Sequence, residues 1–248
     1  VINIVTKKGK VGRSGRISMS GGTRGEVSLN GSFNYRKQGL AISINAGTGY
    51  NRFLGNGYSI RNNIYADSSN FFNTTNNYTN KSWRPSFRAN VDYDINKNNL
   101  LNMVLSFNQN NFDNNNITEF KNINRYDELW RLSQRTVSSS GDSYSPNLSI
   151  AYTLKGKPGE TLKFISSFNF SMNENDRDFY QQFFNPDYTP NGLDSMQRQE
   201  SNTRINGHTF RLNYDKMLGN KKTFISVGSY YNRSNNHVLV DASYKKKP

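Results

Sequence analysis

Strict alternation of apolar and polar residues is the feature of this sequence that most constrains its fold. In residues 26–37, the odd positions from Val27 to Tyr35 are apolar or neutral, whereas the even positions are all polar. Successive side chains of a β-strand point to opposite faces, so a period of two predicts a strand with one apolar and one polar face. The same pattern recurs in three further segments: SWRPSFRANVDYD (82–94), SPNLSIAYTLK (145–155) and HTFRLNYDK (208–216).

Further apolar stretches lie between these segments, and together they predict about nine strands joined by connections of alternating length. Short turns rich in Gly, Asn, Lys and Pro join one end of the strand pairs, as antiparallel hairpins require. At the other end, long segments are predicted to be loops that all lie on one side of the sheet. These are Phe53 to Lys81, Phe112 to Asp142 and Asn173 to Asn202. The expected fold is all-β, antiparallel and up-and-down.

Composition leaves the environment of such a sheet open. The mean hydropathy is −0.84, and no apolar run approaches the 18 residues that a transmembrane helix needs. A transmembrane β-barrel is compatible with these values, because its strands carry apolar residues only at every second position. The net charge of +14 indicates an anionic neighbour, which could be nucleic acid, an anionic lipid surface or lipopolysaccharide.

Four tyrosines recur about every 60 residues, each on the apolar face at the end of a strand and just before a short turn. A ring in apolar surroundings with its hydroxyl toward water is what a membrane interface favours. A general preference of tyrosine for strands is the alternative interpretation. The pattern predicts a membrane-interface belt formed by Tyr35, Tyr93, Tyr152 and Tyr214.

The opening segment VINIVTKKGK resembles the end of the plug domain in TonB-dependent outer-membrane receptors, and the meander that follows resembles their outer-membrane β-barrel. The resemblance implies that residues 1–12 are the last plug strand and a hinge, and that residues 13–248 are the N-terminal part of a transmembrane β-barrel. The chain would then be a fragment of a longer receptor.

The same resemblance implies a transport function. Such a receptor would lie in the bacterial outer membrane, contact its lipid and lipopolysaccharide, and bind TonB through a missing N-terminal part. It would import an unknown ligand, such as a siderophore, glycan or peptide, into the periplasm. No enzyme activity and no cofactor are expected.

If the alternation separates lipid from lumen, then apolar residues such as Leu29, Leu105 and Leu212 face outward. Burying a charge on the lipid side costs about 2–4 kcal/mol at mid-membrane. We therefore predict that the basic residues of the opposite face point into a wet interior: Arg84, Arg88 and Arg211.

Aromatic residues are frequent in the three predicted long loops, where they would be costly to leave in water. Packing of the loops on one another is one interpretation, and a docking surface for the imported ligand is the other. Residues 118–135 could also form a short helix within the second loop. The candidate ligand contacts are Tyr58, Tyr65, Phe71, Phe72, Tyr78, Trp130, Phe179, Tyr180, Phe183 and Phe184.

Catalytic and metal-binding motifs find little support. The chain has only two histidines and no cysteine, so neither a zinc site nor a nucleophilic triad is expected. The segment NPDYTPNGLD, residues 185–194, clusters oxygen atoms that could bind calcium, but a plain turn-rich loop is the favoured interpretation.

Two other classes of function share some of these sequence features. Nucleic-acid binding is disfavoured, because the aromatic and basic residues are expected on opposite faces or in separate loops, whereas stacking needs them interleaved. A secreted, soluble β-sandwich adhesin or lectin would share the alternation, since one face of each strand would be core. This sandwich remains the alternative to the membrane barrel.

Overall fold

The computed structural model describes residues 12–64, 69–219 and 223–245 of the 248-residue chain. These residues form an all-β fold without a helix, as the alternation predicts. The ten strands are β1 (Gly12–Gly21), β2 (Val27–Lys37), β3 (Leu40–Ile64), β4 (Ser69–Trp83), β5 (Ser86–Asp94), β6 (Asn99–Asn124), β7 (Leu129–Lys155), β8 (Glu160–Phe184), β9 (Ser195–Met217) and β10 (Phe224–Lys245).

All ten strands belong to one antiparallel, up-and-down sheet, in which the order β1-β2-β3-β4-β6-β7-β8-β9-β10 follows the sequence. Strand β5 continues the path of β4, and it pairs with β3 on one side and with β6 on the other. No pairing joins β1 to β10 among the described residues, so both are edge strands.

A proline accounts for the tenth strand. Between β4 and β5, Arg84 and Gly49 still exchange backbone hydrogen bonds of 2.8 and 3.3 Å. Pro85 has no N–H to donate, but its carbonyl oxygen accepts a hydrogen bond of 3.0 Å from the Gln109 amide. The ladder therefore continues past a single interruption, which agrees with the expectation of about nine strands.

The expectation of long loops is wrong, because the three segments are extensions of the strands. Strands β3, β6, β7, β8 and β9 each contain 23 to 27 residues. The segment from Phe53 to Lys81, for example, pairs with itself from Phe53↔Asn80 to Ile64↔Ser69. Backbone hydrogen bonding holds these hairpins together although their side chains are largely polar.

The predicted helix at residues 118–135 is also wrong, since these residues form the end of β6, a turn and the start of β7. Thr118 pairs directly with Arg135, and the register continues to Asn122 opposite Arg131. The turn is stabilised by Asn124, whose side-chain oxygen accepts hydrogen bonds of 2.9 Å from the amides of Tyr126 and Glu128. This local hydrogen bonding favours a turn over a helix.

The turns lie at two ends of the sheet, which we call the short-turn end and the extended end. The short-turn end contains the connections at 38–39, 95–98 and 156–159. The extended end contains those at 22–26, 125–128 and 185–194. The hairpin at Gln38 and Gly39 has positive φ at both residues, 37° and 85°, as a two-residue turn of the primed type requires.

The sheet is a single layer with almost no core. Leu132, at 2% exposure, is the one fully buried apolar residue among those described, and no large side chain there is below that value. Apolar residues of the central strands stay exposed: Leu29 by 48%, Leu105 by 44% and Leu212 by 44%. A water-soluble domain of this size normally covers such residues with a second layer.

The register assigns every strand residue to one of two faces. The leucine face is the one that carries Leu29, Leu105, Leu148 and Leu212, and the arginine face is its opposite. Directly paired residues share a face, so Leu105 lies beside both Ala89 and Leu148. None of the described residues belongs to a helix long and apolar enough to span a membrane.

Candidate functional site

The leucine face carries an apolar band near the short-turn end. On β7 the band runs from Leu154 to Tyr144, and on β8 it runs from Leu162 to Met172. Each run is eleven residues long, which is the length that a tilted transmembrane strand needs to cross a bilayer, about 9–11 residues. The apolar positions on these strands are Tyr144, Pro146, Leu148, Ile150, Tyr152, Leu154, Leu162, Phe164, Phe168, Phe170 and Met172.

Aromatic contacts join the neighbouring strands within this band. Phe168 packs edge-on against His208 at 5.0 Å and against Phe210 at 6.1 Å between ring centroids. Phe210 in turn stacks on Tyr231 at 6.2 Å. These contacts extend over β8, β9 and β10, and they place His208 in a structural role on the apolar surface.

The four tyrosines of the predicted belt all lie on the leucine face, close to the short-turn end. Tyr93 and Tyr152 both pair with Leu101, so they occupy one row, while Tyr35 pairs with Ile42. The Tyr152 hydroxyl donates a hydrogen bond to Asn99.

The hydroxyl of Tyr214 also points toward the turns, where it donates a 2.5 Å hydrogen bond to Oε1 of Glu160. This bond is the main reason that the pKa of Glu160 lies below its usual value. A hydrogen bond from the Lys157 amide to the same carboxyl is the second reason. Tyr152 and Tyr214 thus present a ring to the apolar band and a hydroxyl to the polar end of the sheet.

Beyond the band, the leucine face becomes charged. Carboxylates line a groove of about 650 Å³ on this side of the sheet: Asp113, Asp142, Glu174, Asp176, Glu200 and Asp241. Basic residues neutralise part of this charge, as in Arg198, which lies 2.8 Å from Glu200 and 3.5 Å from Asp176. No group of three or more potential ligands is arranged to hold a metal ion within the part of the chain that the structure describes.

The arginine face is polar and carries grooves in the half of the sheet near the short-turn end, which we call its lower half. One groove is lined by Arg16, Arg88 and small polar residues of β2, β3, β5 and β6. Arg84, Arg88 and Arg211, which were predicted to face a lumen, lie on this face, opposite the leucines. Nε of Arg84 donates a 3.0 Å hydrogen bond to Asn110.

At the extended end, the arginine face carries a patch of arginines and aromatic rings from adjacent hairpins. Arg61 lies 5.0 Å from the ring centroid of Phe72, and Phe72 stacks on Phe120 at 5.9 Å. Arg135 lies 5.7 Å from the ring of Phe120 on its other flank. We call this set, together with Arg131 and Phe183 at 5.6 Å, the arginine–aromatic patch.

Similar contacts between arginines and aromatic rings occur elsewhere on this side of the sheet. Arg177 lies 5.8 Å from the ring of Phe179, and Arg211 lies 5.4 Å from that of Tyr230. Arg24, in the turn before β2, lies 5.1 Å from the ring of Phe53. These contacts overturn the expectation that aromatic and basic residues are separated. That expectation was wrong because it treated the hairpin extensions as independent loops.

The arginines of the patch form no ion pair with any residue that the structure describes. Among the described residues, no carboxylate oxygen lies within 4.0 Å of Arg61, Arg131 or Arg135. Nε of Arg135 instead donates a 2.7 Å hydrogen bond to the neutral side chain of Gln181. No described carboxylate therefore neutralises the guanidinium groups of the patch, which have five N–H donors each.

The aromatic residues predicted as ligand contacts do not form one surface, because strand pairing divides them. Trp130 lies at the register shift at the start of β7 and is 53% exposed, whereas Tyr65 lies outside the described residues. On the arginine face are Phe72, Tyr78, Phe179 and Phe183; on the leucine face are Tyr58, Phe71, Tyr180 and Phe184.

Sequence analysis missed Phe120 and the arginines of the patch as candidates. The signal was present in the even spacings within each strand, since Phe112 and Phe120 are eight residues apart on β6 and Arg131 and Arg135 are four residues apart on β7. Only pairing of the two strands brings these residues to one face.

The segment at 185–194 is a turn, as the favoured interpretation predicted. The side-chain hydroxyl and the amide of Thr189 donate to Oδ1 of Asp187 at 2.6 and 3.0 Å, and this lowers the pKa of that carboxyl. Tyr180 donates a 2.7 Å hydrogen bond to Asp194. These two carboxylates therefore stabilise the turn through hydrogen bonds.

A comparison with protein-family models finds no match, and a comparison with curated proteins finds no significant similarity. The fold and the two faces define the class directly: an antiparallel, up-and-down meander in one layer, with an exposed apolar band on one face and a polar, grooved opposite face.

Proposed function

We propose that this chain forms part of the wall of a transmembrane β-barrel in the bacterial outer membrane, and that the parent protein is a TonB-dependent receptor. The observation that carries the proposal is the apolar band of the leucine face, eleven residues deep on β7 and β8 and uncovered by any described residue. Lipid is the environment that removes such a band from water.

The single-layer architecture supports lipid over a protein core. In a soluble β-sandwich, the apolar face would pack on a second sheet about 10 Å away. The described residues form only one sheet, so this interpretation would require the whole apolar face to be covered from outside. The adhesin or lectin is therefore the less supported candidate.

The two ends of the sheet support an orientation in the membrane. Outer-membrane barrels have short turns on the periplasmic side and longer extensions outside the cell, with aromatic residues at both interfaces. The short-turn end, with Tyr93, Tyr152 and Tyr214, fits the periplasmic interface. The charged zone beyond Asp142 and Glu174 fits the level of the lipopolysaccharide.

The transport role rests on the resemblance of the opening segment to the end of a receptor plug. Residues 1–11 lie outside the described residues, and Gly12 begins β1. In this proposal, residues 1–12 join a mobile plug to the barrel, TonB acts on the part that precedes them, and a siderophore, glycan or peptide is imported. The unpaired edges of β1 and β10 would pair with the remaining strands of the wall.

Matched substitutions on adjacent residues test the proposal in the full-length protein. Leu105→Arg places a charge in the middle of the apolar band, whereas Ser106→Arg places it on the opposite face. We expect Leu105→Arg to lower the yield of the heat-modifiable, membrane-inserted form, because the charge costs about 2–4 kcal/mol at mid-membrane. Ser106→Arg should insert normally.

Equal insertion of the two variants would contradict the assignment of the leucine face to lipid. A full-length protein that is monomeric and folded without detergent would contradict the membrane barrel itself and favour the β-sandwich. Uptake is measured separately, as accumulation of radiolabelled ligand with and without the proton-motive force.

A further inference from the structure

We propose that the arginine–aromatic patch binds an acidic oligosaccharide, a chain of sugars that carry carboxylate groups. This inference deepens the proposed function by naming the class of imported ligand. The patch comprises Arg61, Phe72, Phe120, Arg131, Arg135 and Phe183, all on the arginine face at the extended end.

Charge complementarity is the first argument. Among the described strand residues of the extended end, the carboxylates lie on the leucine face, whereas the charged residues of the patch are all arginines. Arg198, on the leucine face, forms ion pairs with Asp176 and Glu200. Arg61, Arg131 and Arg135 instead have aromatic partners, and no carboxylate of the described residues lies within 4.0 Å of them. Guanidinium groups that no described carboxylate neutralises favour binding of an anionic ligand.

The geometry of the arginines favours carboxylates. A guanidinium that stacks on a ring keeps its N–H edge free, and that edge matches a carboxylate in a bidentate arrangement. Stacking also holds the side chain in one conformation, so less rotamer entropy is lost on binding. Arg135 is further fixed by its 2.7 Å hydrogen bond to Gln181.

The surroundings of the patch favour a sugar over a nucleobase. Arg61 and Arg135 lie over the rings of Phe72 and Phe120, so a base would have to displace a guanidinium before it could stack. Neutral polar side chains on the same face, including Asn122 and Gln181, offer the donors and acceptors that sugar hydroxyls need.

Binding to three probes tests this inference in the full-length protein purified in detergent. The probes are a galacturonic acid hexamer, its carboxyl-reduced neutral counterpart and a single-stranded oligothymidylate. We expect calorimetry to detect binding of the acidic hexamer, at least tenfold weaker binding of the neutral hexamer, and a loss of affinity as salt is raised. Equal binding of the two hexamers, or tighter binding of the oligothymidylate, would overturn the proposal.

A matched pair of triple variants locates the site. Arg61→Gln, Arg131→Gln and Arg135→Gln together should weaken binding of the acidic hexamer by tenfold or more. The control removes three arginines from the leucine face, by Arg198→Gln, Arg204→Gln and Arg233→Gln, and should leave the affinity within about threefold of the parent. Equal losses in the two variants, or no loss in the first, would place the site elsewhere.

Heat modifiability of each variant is measured in parallel and separates the two proposals. If the protein inserts into the membrane but does not bind the acidic hexamer, the proposed ligand is wrong and the proposed barrel is still supported. If the protein is soluble without detergent and binds the acidic hexamer through these arginines, the proposed barrel is wrong and the proposed ligand is still supported.

Discussion

Tyr144 pairs with Met172 on the leucine face, and the next pair on that face, one step toward the extended end, is Asp142 with Glu174. Two apolar side chains are thus followed directly by two carboxylates. This step marks the upper edge of the apolar band on β7 and β8. It sets the level at which a membrane would end on the side of the extended end.

Spin labels on single cysteines test this edge, because the chain has no cysteine of its own. In the full-length protein reconstituted into lipid, a label at Leu148→Cys should be accessible to oxygen and shielded from a water-soluble nickel reagent. A label at Asp142→Cys should show the reverse. The control Ser149→Cys, on the arginine face, should stay accessible to the nickel reagent. Nickel access at all three positions would show that lipid does not cover the band.

The hydrogen bond between Tyr214 and Glu160 predicts a titration effect. Because the tyrosine hydroxyl is the main cause of the lowered Glu160 pKa, Tyr214→Phe should raise that pKa toward the usual glutamate value of about 4.3. Carbon NMR of labelled glutamate follows the change. Tyr152→Phe, whose hydroxyl donates to Asn99, should leave Glu160 unaffected. An unchanged Glu160 titration in Tyr214→Phe would show that this bond does not persist in solution.

The sign of the pH dependence follows from the direction of the shift. A carboxyl whose pKa is lowered in the folded state stabilises that state above its unfolded pKa, and the contribution is lost as the pH falls through the folded pKa. For Glu160 and Asp187, we expect the adjoining turns to loosen only under acidic conditions. Protection of the Thr189 amide, which is the slowing of its exchange relative to an unstructured peptide at the same pH, should therefore decrease at low pH in the parent. In Asp187→Ala this protection should already be reduced at neutral pH.

The outcome at Thr189 has a built-in comparison in the turn at 125–128, which is stabilised by the neutral side chain of Asn124. Exchange of the Tyr126 amide should be insensitive to Asp187→Ala. If both turns responded alike, the effect would come from global unfolding and not from the carboxyl of Asp187.

Gly141 on β7 is predicted to be intolerant of any side chain. A Cβ at this position would lie 2.2 Å from the carbonyl oxygen of Glu174 and 2.7 Å from the ring of Phe112. Gly141→Ala should destabilise the protein by about 1–3 kcal/mol, as overpacking does. Gly57→Ala is the matched control, because a Cβ there has nothing within 4 Å. The measurement is a denaturant titration of each reconstituted variant. If the two unfolding curves coincide, Phe112 does not pack closely over Gly141.

The two unpaired edges predict that the 248-residue chain does not fold stably by itself. Strands β1 and β10 expose backbone donors and acceptors, and in lipid each unsatisfied group is costly. In detergent micelles the chain should aggregate or remain sensitive to protease. A sharp, heat-resistant folded band on a gel would show that the described sheet closes or is otherwise stable alone.

The lower half of the sheet could be predicted from the sequence because its two faces differ in polarity. Along β5, Phe87 and Val91 alternate with Arg88 and Asp92, so the period of two is visible without any knowledge of the partners. The four tyrosines before the short turns were located on the apolar face for the same reason.

The extended end could not be predicted in this way, since its side chains are polar on both faces. Residues 113–116 of β6 read Asp-Asn-Asn-Asn, a run that shows no alternation and resembles a loop. Backbone pairing with β4 and β7, which no local pattern reports, makes this segment a strand. The arginine–aromatic patch depends on that pairing, so it too could not be predicted from the sequence.

Each strand pairs only with its sequence neighbours, apart from the interruption at Pro85, so the sheet is built of hairpin modules in a row. A hairpin could be duplicated or lost without changing the contacts of more than two others, much as a repeat can in a solenoid. The recurrence of tyrosine about every 60 residues is consistent with growth by such copying. In that history, the depth of the apolar band would be the constant, and the length and chemistry of the extensions would be free to diverge.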